Sequence, residues 1–396
     1  MKGHLFFLQH CYDKQLNIHQ IKGTVMQVSQ IRWTEQSGWD FLPSYSASAD
    51  LVMVFADHPF FQTDTCFSEL RQQFPKAHIV GCSSSGNVAG VGITDNDVVA
   101  TVIQLERSRI RMASLGLESG KSAREIGAQL MTDLFTPELK HAFVLADGLQ
   151  INGSEIALGL NERGLAVSGG LAGDGSRFGK TWVMADAPAK TGQVVAIGFY
   201  GDVTVKSGCF AGWEEFGAER IVTKSVGNIV YEIDGKPALD LYKKYLGEQS
   251  AELPASGLRF PLSIQMNKKD EPLIRTVLAV DENAQSLTFA GDVPQGYLCK
   301  LMRTNLDSLI EHAGMAAETA HSPLHQDTGL CLVVSCVGRR LVMGQMTEEE
   351  LDAVHDKLGE STAIAGFYSY GELAPFGEIM QCQLHNQTMT LTTINE

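Results

Sequence analysis

The chain has 396 residues, 44% of them hydrophobic, with 46 acidic and 31 basic side chains and a formal net charge of −15. At roughly 100–200 residues per domain, that length makes two or three domains with a sizeable core. The charge speaks against nonspecific binding to nucleic acid or to an anionic membrane, no apolar run approaches a membrane span, and eight cysteines without a Cys-x-x-Cys pair read as reduced thiols of a cytoplasmic protein.

The run Leu5-Phe-Phe-Leu8 is too short for a signal-peptide core. Residues 1–45 read as an extension packed on the first domain, strand-prone from Thr24 to Trp33. Leu51 to Phe55 is the first strong strand. Phe67, Leu70 and Phe74 then share one helical face, stopped by Pro75. A strand at Ile79 runs into the glycine-rich stretch Gly81 to Gly92, and Asp95-Asn-Asp97 turns the chain into a strand from Val98 to Leu105. Ser122 to Leu134 is a helix, His141 to Asp147 a strand, and Gly153 to Arg163 a helix. Thr181 to Met184 and Gln193 to Tyr200 read as a hairpin-like pair.

A boundary near Gly201 to Lys206 divides a first domain, 46–203, from a second, 204–396. Beyond it come a strand from Val203 to Phe210 and a helix from Lys236 to Leu246 begun by Pro237. Strands follow around Leu262 to Met266, Arg275 to Val280 and Ser286 to Phe289. Tyr297 to Ala317 reads as one long helix, with Leu298, Leu301, Leu309 and His312 near one face. Leu330 to Val334 is short, apolar and β-branched, as a buried strand should be. Thr347-Glu-Glu-Glu350 reads as an N-cap with acids at the positive end of a helix dipole, and Leu351, Val354 and Leu358 form one apolar face ending at Gly359. A last pair of strands is broken at Gly366 and Gly371.

One unit recurs. Ile79-Val-Gly-Cys-Ser-Ser-Ser-Gly-Asn-Val-Ala89 aligns without gaps on Ile364-Ala-Gly-Phe-Tyr-Ser-Tyr-Gly-Glu-Leu-Ala374, with five of eleven positions identical, and Gly170-Leu-Ala-Gly-Asp-Gly175 is a looser relative. Each follows a strand and a helix, which predicts an α/β chain built by duplication. The fold class expected is therefore mixed α+β, with two related domains of repeated strand–helix–strand units around mixed sheets.

The chemistry-bearing residues gather near the C-terminal strand ends. Cys336 lies three residues before Arg339, whose guanidinium would favour a thiolate; the alternative is a small buried hydrophobe. Glu372 and His385 complete the set, with Tyr370 or Phe367 as an apolar wall. Cys336, Arg339, Glu372 and His385 are expected to line one concavity, as small-molecule sites usually combine apolar walls with a few polar groups. Gly81-Cys-Ser-Ser-Ser-Gly86 lacks the Gly-x-Ser-x-Gly spacing of a hydrolase elbow, and no phosphate loop stands in strand–loop–helix order. His321 and His325 with Asp327 would suit a metal only if helical, and Pro323 between them argues for a loop. Cys331 and Cys336, five apart on one strand, point to opposite faces.

The strings Gly169-Gly-Leu-Ala-Gly-Asp174, Asp234-Gly-Lys-Pro-Ala-Leu239 with Leu241-Tyr242 and Tyr245-Leu-Gly247, Ser335-Cys-Val-Gly-Arg339, Gly371-Glu-Leu-Ala-Pro375 and His385-Asn-x-Thr388 together resemble the FIST family of bacterial sensory domains, from about Asp50 to the C-terminus. The resemblance implies a sensor that works through a partner. In size, the chain also resembles the free-standing members that bind haem and sense nitric oxide beside a cytoplasmic histidine kinase. On that footing His385, then His312, is the expected axial ligand of haem iron, with Cys336 a lesser candidate. The sensor reading takes the chain as not an enzyme and leaves room for a homodimer. Competing readings are a sensor of another small ligand, such as an amino acid or metabolite, an enzyme using Cys336 or Glu372, and an interaction scaffold.

Overall fold

A computed structural model of the chain describes residues 21–22, 26–321, 329–377 and 380–396. The strand–helix–strand unit occurs three times. Its two strands lie parallel and adjacent: Leu51–Ala56 with His78–Ser83, Leu139–Ala146 with Val167–Leu171, and Leu330–Cys336 with Ala363–Ser369. The connecting helices include Thr65–Gln73, Gly153–Leu160 and Glu348–Leu358. Helices cover one face of such strands and the shared core of the three sheets the other, so the strands are continuous apolar runs; Leu51–Ala56 is buried at every position. Antiparallel to the first strand of each unit lies a third, Val98–Gln104, Gln193–Gly201 or Met389–Asn395. Beside that lies a fourth, Gln27–Thr34, Ser108–Gly116 or Thr204–Phe210. The duplication expected from the sequence is thus present in three copies.

The three sheets exchange strands in a cycle. After its second parallel strand, the first unit sends Asn87–Ala89 to the third sheet, the third sends Gly371–Phe376 to the second, and the second sends Val183–Ala185 to the first. Equivalent hydrogen bonds lock the crossings: Ser85 N–H to Tyr368 O at 2.8 Å, Gly173 N–H to Ser83 O at 2.9 Å, and Tyr370 N–H to Leu171 O at 3.1 Å. Gly81 and Gly366, which match in the sequence repeat, are equivalent in the structure to Gly169, one residue before the Gly170 with which the looser copy was aligned. A Cβ on any of them would fall 2.1, 1.9 or 1.9 Å from the carbonyl oxygen of Val54, Val144 or Val333 on the paired strand, so only glycine allows that approach. Residues of all three units meet in one core, where Phe55 stacks on Phe367 at 4.8 Å.

This exchange corrects the hairpin expected of Thr181 to Met184 and Gln193 to Tyr200. Val183–Ala185 pairs in the first sheet and Gln193–Gly201 in the second. A fourth, antiparallel sheet is inserted between Phe210 and Leu306. It runs from Glu214–Val226 to Leu298–Arg303, and helix Ala238–Leu246 packs on it. Its last strand corrects the long helix expected from Tyr297 to Ala317. Cys299 and Leu301, two apart, are buried in the core of the insert, and the helix starts only at Leu306, where Asn305 accepts from Ser308 N–H at 2.8 Å. Helix Glu348–Leu358 lies where expected, but the Thr347 hydroxyl donates to Gly344 O instead of capping it.

Candidate functional site

Glu350 was expected to be a first-turn acid at the positive end of the helix dipole. It is fully buried and forms an ion pair with Arg339, itself 0% exposed, at 2.8 Å from Nη2 and 3.0 Å from Nε. Ser335 and Tyr368 donate to its other oxygen at 3.0 and 2.8 Å. The rest of the Arg339 guanidinium is taken by Ala211 O and Leu309 O. Arg339 therefore does not line a concavity. It fixes the short helix Val337–Met343, a helix the sequence did not announce, against helix Glu348–Leu358.

The first turn of that short helix forms one wall of a cavity of about 320 Å³. Cys336, Val337 and Gly338 come from the third unit, residues 148–153 from the second, and Thr276 with residues 289–292 from the insert. The 148–153 segment is shaped by buried Asp147. Its carboxylate accepts from Leu149 N–H and Gln150 N–H, each at 2.9 Å, from Gly192 N–H at 2.7 Å and from the Thr181 hydroxyl at 2.6 Å. Tyr370 closes one side, stacked on Phe178 at 4.7 Å, with its hydroxyl on Asp174 and Gly175 O. Asn386, from the ring of sheets, and Thr276, from the insert, both line the cavity. Each is more than nine-tenths buried, and Asn386 Oδ1 and Thr276 Oγ1 have no hydrogen-bond partner. Burying such an atom unpaired costs about 1–3 kcal/mol.

Of the expected site residues, Cys336 and Tyr370 line this cavity and Arg339, Glu372, His385 and His312 do not. Cys336 is no thiolate. Burial, reinforced by the Glu372 carboxyl, pushes its thiol far above the ordinary range, and Arg339 only weakly opposes this. Glu372 lies behind it, fully buried, accepting from the Ser369 hydroxyl at 2.6 Å and from Thr388 Oγ1 at 2.9 Å and N–H at 3.2 Å. Burial pushes Glu372 up to about 8 despite those donors. Glu372 and His385 face each other across paired strands. Burial, with the nearby Arg275 cation, lowers His385 to about 3, so its imidazole is neutral.

Haem needs an open imidazole nitrogen beside a slot that admits a porphyrin. His385 Nε2 has no partner, but its ring packs edge-on against Phe376 at 4.8 Å and the cavity does not reach it. His312 bonds Ser308 O at 2.8 Å through Nδ1. Its helix packs so closely that a Cβ on Gly208 would come within 2.0 Å of Ala316 O, which leaves no slot against the leucines. The residues present do not fit haem. Among the described residues no cluster of three or more His, Cys, Asp or Glu is placed to hold a metal ion; His325 and Asp327 lie outside them.

Sequence reasoning missed Thr276, Arg275, Asp292 and the 148–153 segment, and named Asn386 only as a neighbour of His385. Arg275 joins the insert to the last strands, donating to Asp292 O at 2.9 Å and to Leu384 O at 3.0 Å. The repeat held a usable signal, because residue 148 follows Asp147 as Val337 follows its counterpart Cys336. No helix among the described residues is long and apolar enough to cross a membrane.

The FIST N domain profile matches residues 50–236 and the FIST C domain profile residues 238–375. Uncharacterized proteins of Mycobacterium bovis and Mycobacterium tuberculosis are each 24% identical over 222 residues, 54% of this chain and 56% of theirs. One from Methanocaldococcus jannaschii is 24% identical over 311 residues, 72% of this chain and 59% of its own. The chain thus spans less than two thirds of the length of these relatives. Among solved structures, a chorismatase aligns over 95% of this chain and all of its own at 10% identity and a TM-score of 0.38. A cyanuric acid hydrolase from A. caulinodans aligns over 94% and 99% at 9% identity and a TM-score of 0.36.

Proposed function

The chain belongs to the FIST family of sensory proteins, and from that premise we propose that it senses a small polar molecule held in the cavity around Asn386 and Thr276. One observation carries the reading: two deeply buried residues that line one cavity, Asn386 and Thr276, each hold a polar atom without a partner. Buried polar groups are paired in nearly all native structures, so a pair of exceptions in one concavity calls for a ligand. Asn386 Oδ1 can only accept, so the ligand offers it an N–H or O–H donor; Thr276 either donates or accepts. Asp292 is the one acidic side chain lining the cavity, with no Lys, Arg or His beside it there, and favours a ligand with an amine or amide. A metabolite of amino-acid type meets these demands.

The narrower reading implied by the resemblance, haem with nitric oxide bound, would have to use His385 or His312. Neither lines the cavity, so the ligand proposed here is not a porphyrin. The role is binding rather than catalysis, since Cys336 is held as a thiol with no base beside it in the cavity. The partner, following the resemblance, is a cytoplasmic histidine kinase.

The test is a thermal-shift screen with the common amino acids and their amides as probes, followed by calorimetry on Asn386→Leu. At least one probe should stabilise the protein, and the variant should lose at least tenfold in affinity, the equivalent of one lost hydrogen bond to a buried acceptor. Binding that survives Asn386→Leu unchanged rules out this site. A co-purified kinase whose autophosphorylation ignores the chain, with and without the active probe, rules out that partner.

A further inference from the structure

The cyclic exchange creates three equivalent clefts, each between the end of a sheet's first parallel strand and the crossing loop that enters that sheet. Asp57, Asp147 and Cys336 hold the same place at those strand ends, each three residues beyond the valine that faces the repeat glycine. In the second sheet the cleft is the cavity of Tyr370 and residues 148–153. In the third, Arg340 fills it: its guanidinium donates to Ser85 O, pairs with Asp95 and lies over the Tyr368 ring at 5.6 Å, occupying the space a Cβ on Gly86 would need. In the first sheet the cleft is open. It forms a separate cavity of about 270 Å³.

The two cavities differ in chemistry. The first-sheet cavity is lined by Asp57, Ser84, Ser85, Asn96 and Arg177, among others, and by no large apolar side chain. Its charges cancel. Asp57 pairs with Arg177, Asp95 with Arg340, and buried Asp97, just behind, with Arg32. A net anion meets carboxylates and a net cation meets guanidiniums, so neither sign is favoured. Hydrogen bonding is left open at several points. Ser85 Oγ accepts from Gly175 N–H at 3.0 Å and keeps its own hydrogen, and Arg177 and His58 N–H both donate to Asp57 Oδ1, which leaves Oδ2 to accept. Alternating fixed donors and acceptors in a neutral, polar cleft match a molecule that is both at every position.

We propose that this first-sheet cavity is a second binding site, for a small uncharged polyhydroxylated molecule, with Arg177, Asp57 and Ser85 as its contacts. The site is built. The crossing loop of the second unit needs fifteen residues to pass from Gly169 to Met184, where the other two units need seven, from Gly81 to Val88 and from Gly366 to Leu373. The eight additional residues carry Arg177 into this cleft. The proposal stands apart from the Asn386 site and survives its failure.

The test is isothermal titration of the full chain with glycerol, D-ribose, D-glucose and myo-inositol. Inorganic phosphate and putrescine serve as charged probes. At least one neutral probe should bind saturably, and Arg177→Met should weaken it at least tenfold. Asn96→Asp, which adds a charge where aspartate tolerates the left-handed backbone at φ 57°, should do the same, and Asn386→Leu should leave it unchanged. If Arg177→Met does not fold, as judged by its melting curve, Asn96→Asp carries the comparison alone. The proposal is overturned if no neutral probe binds, if phosphate or putrescine binds more tightly, or if Asn96→Asp binds as the wild type does.

Discussion

Replacing Glu350 with alanine removes one partner of a fully buried ion pair. Arg339 would keep its bonds to Ala211 O and Leu309 O, but its charge would be left without a counter-ion. The hydroxyls of Ser335 and Tyr368 would lose their acceptor as well. Breaking a buried pair from one side costs roughly 3–5 kcal/mol, most of it the uncompensated charge. At about 2.1 cal/mol/K of unfolding entropy per residue, a chain of this length converts that into a fall in Tm of about 4–6 °C. Differential scanning fluorimetry of Glu350→Ala against Glu349→Ala, an exposed neighbour in the same helical turn, isolates the effect. The control should stay within about 0.5 kcal/mol of wild type. The loss should extend to function, because the pair fixes the helix whose first turn walls the main cavity. If Glu350→Ala melts within about 1 °C of wild type, the pair does not hold these helices together and this account of the wall is wrong.

Other outcomes follow from the same geometry. Asn386→Leu removes an unpaired buried acceptor, so the ligand-free protein should be as stable as wild type or more so in urea unfolding, while affinity falls. Glu372 has a folded pKa near 8, above its ordinary 4.5. The unfolded chain therefore releases its proton first, and stability should fall between about pH 4.5 and pH 8; in Glu372→Gln that part of the slope should vanish from melts taken across the range. His141 and His385 are lowered to about 4 and about 3. Both should cost stability as pH falls from about 6.5 toward those values, giving acid unfolding that a His141→Gln variant delays. Haem titration should yield no Soret band that depends on His385 or His312, and a band abolished by His385→Ala would restore the porphyrin reading.

How much of this was legible depended on whether the deciding interaction was local. The buried parallel strands announced themselves as apolar runs, and the helices at 65–73 and 348–358 as single apolar faces, because burial of one element acts through its own residues. The repeat was legible for a related reason: the approach of Gly81, Gly169 and Gly366 to a neighbouring carbonyl admits no other residue, and it marked the first and third copies clearly, while the second was read one residue late, from Gly170. Failures came where partners were remote. Nothing near Val183 says that its strand pairs with Cys82 and Gly81, a hundred residues back. Leu298 and Leu301 suit a helix by spacing, and only the core of the insert makes Cys299 and Leu301 a strand face. Glu350 read only as a first-turn acid because its partner, eleven residues earlier, sits on a helix the sequence did not disclose. Cys336, Arg339, Glu372 and His385 were expected to line one concavity because they lie near strand ends in sequence, but proximity along the sheet did not tell which side chains reach the cavity.

The cavity's position bears on how a bound molecule would be reported. Two walls belong to the closed ring of sheets, whose mutual strand exchange makes them a single packed body. The third belongs to the insert, which is tied to the ring by an apolar cluster of Ile274 and Met302 with Leu309 and Met343 and, beside the cavity, by a handful of polar bonds. Arg275 Nη1 reaches Leu384 O at 3.0 Å, Gln387 Nε2 reaches Leu258 O at 3.0 Å, and the Ser154 hydroxyl accepts from Asp292 N–H at 3.1 Å. Each such bond is worth about 0.5–1.5 kcal/mol net, far less than the shared cores of the sheets. A ligand that accepts from Thr276 or donates to it on the insert, and donates to Asn386 on the ring, adds a bridge of comparable strength across that joint. It can shift the balance between seated and loosened insert only by the difference in its affinity for the two. Two hydrogen bonds made in one state and not the other supply about 1–3 kcal/mol, the usual size of an allosteric coupling. The insert, with its exposed Ile221, Val226 and Met266, is therefore the part of the chain from which ligand occupancy would be read.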